Sequence, residues 1–179
     1  MKTKGNLLLA VVIGGAFMVA AGTADAIDLK AWDNQINNPG RFKVLDDFAG
    51  AAVLDKETQL VWEQSPETAP HSTTPFFWFA AQISCNVRNV GGRKGWRLPT
   101  IQELASLIDP TIAPPGPTLP LGHPFSNVQS SSYWSATTLG EHTSDAWGVF
   151  FRDGVTFTGG KADSNHVWCV RGGQGVDPQ

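Results

Sequence analysis

Short apolar blocks alternate with polar ones along most of this chain. In "AAVLDKETQLVWEQ" two apolar runs, Val53-Leu54 and Leu60-Val61-Trp62, flank Asp55-Lys56-Glu57-Thr58, a pattern that predicts a β-hairpin. Upstream, Phe42, Val44 and Leu45 predict an edge strand in a polar, Asn-rich leader. Trp78, Ala81 and Cys85 fall at i, i+3 and i+7, so a helix there buries one stripe, and Gly91-Gly92 is expected to break it. A second helix follows in "GWRLPTIQELASLID". Thr100 and Glu103 are spaced as a capping box, each side chain taking the other residue's free backbone N–H, and Pro99 blocks extension backward. Ile101, Leu104, Leu107 and Ile108 recur with helical spacing up to Asp109-Pro110, the expected stop.

The six prolines from Pro110 to Pro124 exclude helix and central strand, which leaves an extended surface loop. A shorter loop with His71 is expected between Pro66 and Pro75. The remainder is strand-like. "SSYWSATT" alternates, "AWGVFF" is aromatic and β-branched, Arg152-Asp153-Gly154 turns into "VTFT", Gly159-Gly160 opens a loop through Asn165, and "HVWCVR" is the last strand. Two early helices before a strand-rich half define an α+β domain.

Lys2 and Lys4, the apolar run Leu7 to Ala21 and Ala24-Asp25-Ala26 have the order of a secretory signal over residues 1–26. The run contains Gly14-Gly15 and falls short of the roughly 20 residues that span a bilayer, so no membrane span is expected after its removal. The expected organisation is then a leader over 27–50, one domain over 51–173 and a tail over 174–179. The formal net charge of −3 becomes −4 without the signal, and no basic block remains to mark a nucleic-acid partner. Cys85 and Cys169 are the two cysteines. In an oxidising compartment one disulfide is the simplest reading and two separate buried thiols the alternative. Thiols are too few and no His pair is near enough for zinc, so neither metal nor cofactor is expected.

Taken in order, "DKETQLVWE", the Trp-x-x-Ala helix with Cys85, "GGRKGWRLPTIQELASLID", "YWSATT", Lys161 and "VWCVRGG" resemble the DUF1566 family, the carboxy-terminal domain of the Legionella collagen-like adhesin. The resemblance covers roughly residues 50–173. It implies a fold related to C-type lectins and formylglycine-generating enzymes, with two helices, a twisted antiparallel sheet and a disulfide from the first helix to the last strand. It also implies binding outside the cell, since the adhesin is associated with sulfated polysaccharide. No catalytic residue transfers.

Six of the seven tryptophans lie in the family's segments, and Trp62, Trp96 and Trp134 among them read as core; Trp32 is undetermined. Arg97, Pro99, Thr100 and Glu103 read as scaffold, the Arg97 charge answered by an acid or by carbonyls rather than by a bound anion. Asp145, Asp163 and Asn165 offer oxygen ligands, but the lectin calcium triplets are absent and solvated loop residues are the plainer reading. His71, His123, His142 and His166 all fall in loops, without a nucleophile elbow. The expectation is a non-catalytic binding module whose loops meet a glycan or envelope ligand through His123, Glu141, Asp145, Arg152, Asp153, Lys161, Asp163, Asn165 and His166. A protein-interaction or envelope-assembly module is the alternative, favoured over sulfated glycan by the acidic charge. An enzyme of the formylglycine-generating or hydrolytic kind ranks below both.

Overall fold

The β2–β3 hairpin, Ala52–Asp55 and Leu60–Glu63, forms where the apolar runs predict it. Asp55 builds its turn: the buried carboxylate accepts from the Glu57 N–H at 3.0 Å and the Thr58 hydroxyl at 2.9 Å, and receives Arg41 through two guanidinium nitrogens at 3.0 and 2.8 Å. The structure is a computed structural model and describes residues 40–66 and 76–173, all within the unit Gln35–Gln179. The expected signal, most of the expected leader, Trp32, the expected loop with His71, and the expected tail lie outside the described residues.

The expected edge strand is β1, Phe42–Val44, paired antiparallel with β2. A five-stranded sheet runs β1-β2-β3-β10-β5, in which β10 (Val170–Arg171) lies between β3 and β5 (Trp96–Arg97). A three-stranded meander follows the second predicted strand set: β6 (Ser132–Thr138), β7 (Asp145–Phe150) and β8 (Val155–Gly160). With a few short helices and antiparallel sheets, the class is α+β.

Four sequence expectations change. Helix α1, Trp78–Asn86, stops before Gly91-Gly92: after the last four-residue bond, Val87 N–H to the Ile83 carbonyl, the Arg88 N–H closes a tighter three-residue turn on the Cys85 carbonyl and its side chain turns inward. Helix α2 covers only Ile101–Ala105 and does not reach Asp109. There the Ser106 hydroxyl takes the Glu103 carbonyl at 2.7 Å, and Thr118 draws the Asp109 N–H out of the helix at 2.7 Å. The supposed loop before Asn165 contains β9 (Ser164–Asn165), paired with β4 (Phe76–Phe77). Finally, "HVWCVR" is not one continuous strand: His166 bridges Tyr133 of β6, Val170–Arg171 form β10, and between them the Cys169 N–H is given to the Glu63 carboxylate at 3.0 Å.

That last segment is nonetheless extended, and its side chains alternate between two cores. Trp168 and Val170 join Val53, Trp62, Leu104, Leu107, Tyr133 and Phe151 in one core. Val167 and Cys169 join Phe48, Ala81, Cys85, Trp96 and Trp134 in the other. Burial on both faces explains why the sequence reads there as an unbroken apolar run. In the second core Cys85 and Cys169 form a disulfide, tying α1 to the approach of β10 across 84 residues.

The "GWRLPT" stretch is a joint. Trp96 and Leu98 are buried, both halves of the Thr100–Glu103 capping box are present, and the Glu103 carboxylate grips Arg97 at 2.7 Å through each oxygen. Arg97 also donates to the carbonyls of Leu98 and Gly172, so its fork is spent on scaffold groups.

Candidate functional site

Two surfaces bring together groups that the chain keeps apart. The first lies where the meander's open end meets the start of α1. Residues 138–145 form a turn closed by the Leu139 N–H to the Asp145 carbonyl and the Asp145 N–H to the His142 carbonyl, which leaves Glu141 and His142 exposed. The Lys161 N–H bonds the Ser144 carbonyl, and the Lys161 carbonyl accepts the Trp78 N–H. Its ammonium then stands 4.0 Å from the centre of the Trp78 ring and donates to Thr138 Oγ1 at 2.9 Å. Burial pushes the Lys161 ammonium below its usual range, and the Asp145 carboxylate partly restores it. Phe77 and Phe79, 58 % and 68 % exposed, flank Trp78. Ile83 and Val87, also exposed, continue from Phe79 at four-residue spacing, so α1 carries an outward apolar row.

The second surface is basic. Val90 and Arg93 close a tight turn by mutual backbone hydrogen bonds at 3.1 and 3.0 Å, and the Trp96 indole donates to the Arg93 carbonyl at 2.8 Å. Gly91 is required here: its φ is +57°, and a Cβ would stand 2.4 Å from the Phe48 Cα. The turn is thereby seated on Phe48, whose ring lies beneath the guanidinium groups of Arg93 and Arg171, at 4.9 and 5.9 Å. Arg171 Nε donates to the Lys94 carbonyl at 2.9 Å, which brings Lys94 to the same place. Among the described residues none of these three cations has a carboxylate within salt-bridge distance. Sequence reasoning missed this patch because Arg171 is 77 residues from Lys94. The pairing of β10 with β5 is what joins them.

The residues expected to form the binding loops do not converge on one place. Asp145 and Lys161 meet, with Glu141 close in sequence. Arg152 and Asp153 cap the opposite end of the β7–β8 hairpin, about 17 Å away for strands of this length. Asp163 is exposed beside Gly159 and Gly160, whereas Asn165 is buried and holds the Ser132 hydroxyl through Oδ1. Asp163 and Asn165 therefore do not face one cavity as a shared ligand pair would. His166 tilts against Tyr133, and its backbone N–H and C=O bond Ser132 and Trp134, closing the outer edge of β6. Trp62, Trp96, Trp134 and Trp168 are buried; Trp78 and Trp147 are half-buried.

His123 lies in the proline-rich loop, stacked on Phe125 with ring centres 5.9 Å apart. Burial lowers its pKa from the ordinary 6.5; a weak contact with the Phe125 backbone opposes this, and no well-formed hydrogen bond reaches Nδ1. Protons therefore bind the unfolded chain more tightly, so this contribution to stability is complete above about pH 6.5 and is lost as the pH falls through the lower folded value. Urea midpoints measured against pH are expected to fall on acidification in the native chain and to fall less steeply in His123→Gln.

A family model for the Lcl C-terminal domain matches residues 51–171, more than half of the chain. The chain belongs to the Lcl C-terminal domain family, which marks it as an extracellular or adhesin-like module. No curated protein matches it. Among the described residues, no helix is long and apolar enough to cross a membrane.

Proposed function

We propose that this is an exported, non-catalytic binding module that takes an acidic glycan on the basic turn formed by Arg93, Lys94 and Arg171. The observation that carries the reading is that, among the described residues, no carboxylate partners these three cations, in a chain whose net charge is −3. Two guanidinium groups held over one ring keep their planar donors arranged for sulfate or carboxylate groups, and little side-chain freedom remains to be lost on binding. The kinship with C-type lectins belongs to the same reading, supported by the bridge from the first helix to the approach of the last strand. The non-catalytic part is supported by the two cysteines, which are fully buried and joined to each other.

Binding of the protein to a sulfated polysaccharide column is expected to weaken steeply with added salt. Charge reversal in Arg93→Glu with Lys94→Glu should lower retention by at least about tenfold, since each lost charge contact is worth on the order of 1 kcal/mol. Retention unchanged by that pair would remove the glycan reading.

A protein partner is the second reading, favoured by the outward row Phe79, Ile83 and Val87 with Phe77. It predicts that Phe79→Asp abolishes capture of an envelope protein while leaving polysaccharide retention intact.

A further inference from the structure

The meander has one covered edge and one open edge. His166 closes β6, but β8 is the last strand on its side, and among the described residues nothing pairs with its outer side. Which backbone groups face outward follows from the hydrogen-bond phase. The Lys161 N–H bonds the Ser144 carbonyl, and the register matches Asp145 with Gly160 and Gly148 with Phe157. Antiparallel pairs alternate between bonded and unbonded, so Phe157 and Gly159 bond β7, whereas Thr156 and Thr158 direct their N–H and C=O groups away from it. This six-residue edge, Val155-Thr-Phe-Thr-Gly-Gly160, carries neither charge nor proline, the usual guards of an exposed strand.

We propose that β8 pairs antiparallel with β8 of a second copy of this chain, joining two meanders into one continuous six-stranded sheet. The occupant is argued from self-complementarity. A two-fold axis at Phe157 sets Thr156 opposite Thr158 of the second copy, and these are the residues with free outward groups on both strands. Thr–Thr pairs are favourable cross-strand neighbours. The same axis brings the Arg152–Asp153 tip of each copy to the Lys161–Asp163 turn of the other. Arg152 then lies next to Asp163 of the second copy, while the Lys161 ammonium stays with Trp78 and Thr138 of its own chain. Opposite charges meet at both ends, and the uncharged centre brings no like charges together. The interface is isologous and closes at two copies.

The test is sedimentation of the full chain as the cell delivers it. A dimer is expected. Thr158→Pro removes an N–H that β7 does not use, so it should raise the dissociation constant about tenfold or more with an unchanged circular dichroism spectrum, whereas Thr158→Val should remain dimeric. Arg152→Asp should weaken the dimer, and adding Asp163→Arg should restore it, a readout that survives if the proline variant does not fold. A native chain that is monomeric at submillimolar concentration, or a dimer indifferent to both Thr158→Pro and Arg152→Asp, would overturn the proposal.

Discussion

Replacing both Cys85 and Cys169 by alanine lowers the unfolding free energy by about 4.5 kcal/mol, the largest loss expected from any paired substitution in this domain. The figure follows from the 84-residue separation, since chain-entropy treatment ties the gain to the loop closed in the unfolded state. Removing two buried sulfurs from the second core adds a packing loss in the same direction. Urea unfolding of oxidised protein, reduced protein and the double variant is the measurement. Oxidised protein should unfold at the highest urea concentration, with the other two close together. A loss below about 1 kcal/mol would mean that the reduced unfolded chain is already compact.

Truncating Arg88 has the second largest effect. Glu63 and Arg88 are both buried, with Arg88 Nε 2.9 Å from Glu63 Oε1; the N–H does not point along that line, so the contact is an ion pair more than an aligned hydrogen bond. Glu63 Oε2 meanwhile accepts the Cys169 N–H, so the carboxylate braces the segment that carries the disulfide. Arg88→Met leaves that carboxylate buried without its cation, which costs about 3–5 kcal/mol. Adding Glu63→Gln to Arg88→Met should recover a large part of the loss, because the charge is gone while an oxygen remains for Cys169. The check is a double-mutant cycle read from urea midpoints, and simple additivity would contradict the pairing.

What was legible in the sequence was local. The β2–β3 turn is built by Asp55 with residues two and three positions away, and the capping box joins residues three apart, so both can be read from spacing. The end of α2 was not legible, because Thr118 takes the Asp109 N–H from beyond the prolines. The β4–β9 pair involves two residues on each side and leaves no periodic trace. Charge was misread for a similar reason: no window of sequence holds Arg93, Lys94 and Arg171 together, although their meeting is a direct result of β5 and β10 lying side by side. Several residues expected to bind, Glu141, Arg152, Asp153 and Asp163 among them, are exposed, but their order in the sequence does not tell which end of a hairpin each occupies.

The position of β10 bears on the order in which the domain is made. Its neighbours β3 and β5 do not pair with each other, and residues 167–170 supply side chains to both cores. A polypeptide emerging amino terminus first therefore lacks a central strand and a Trp in one core, and a sulfur in the other, until residues 167–171 have appeared. Most of the domain is therefore synthesised before either core can consolidate, and its earlier part stays pliable until then.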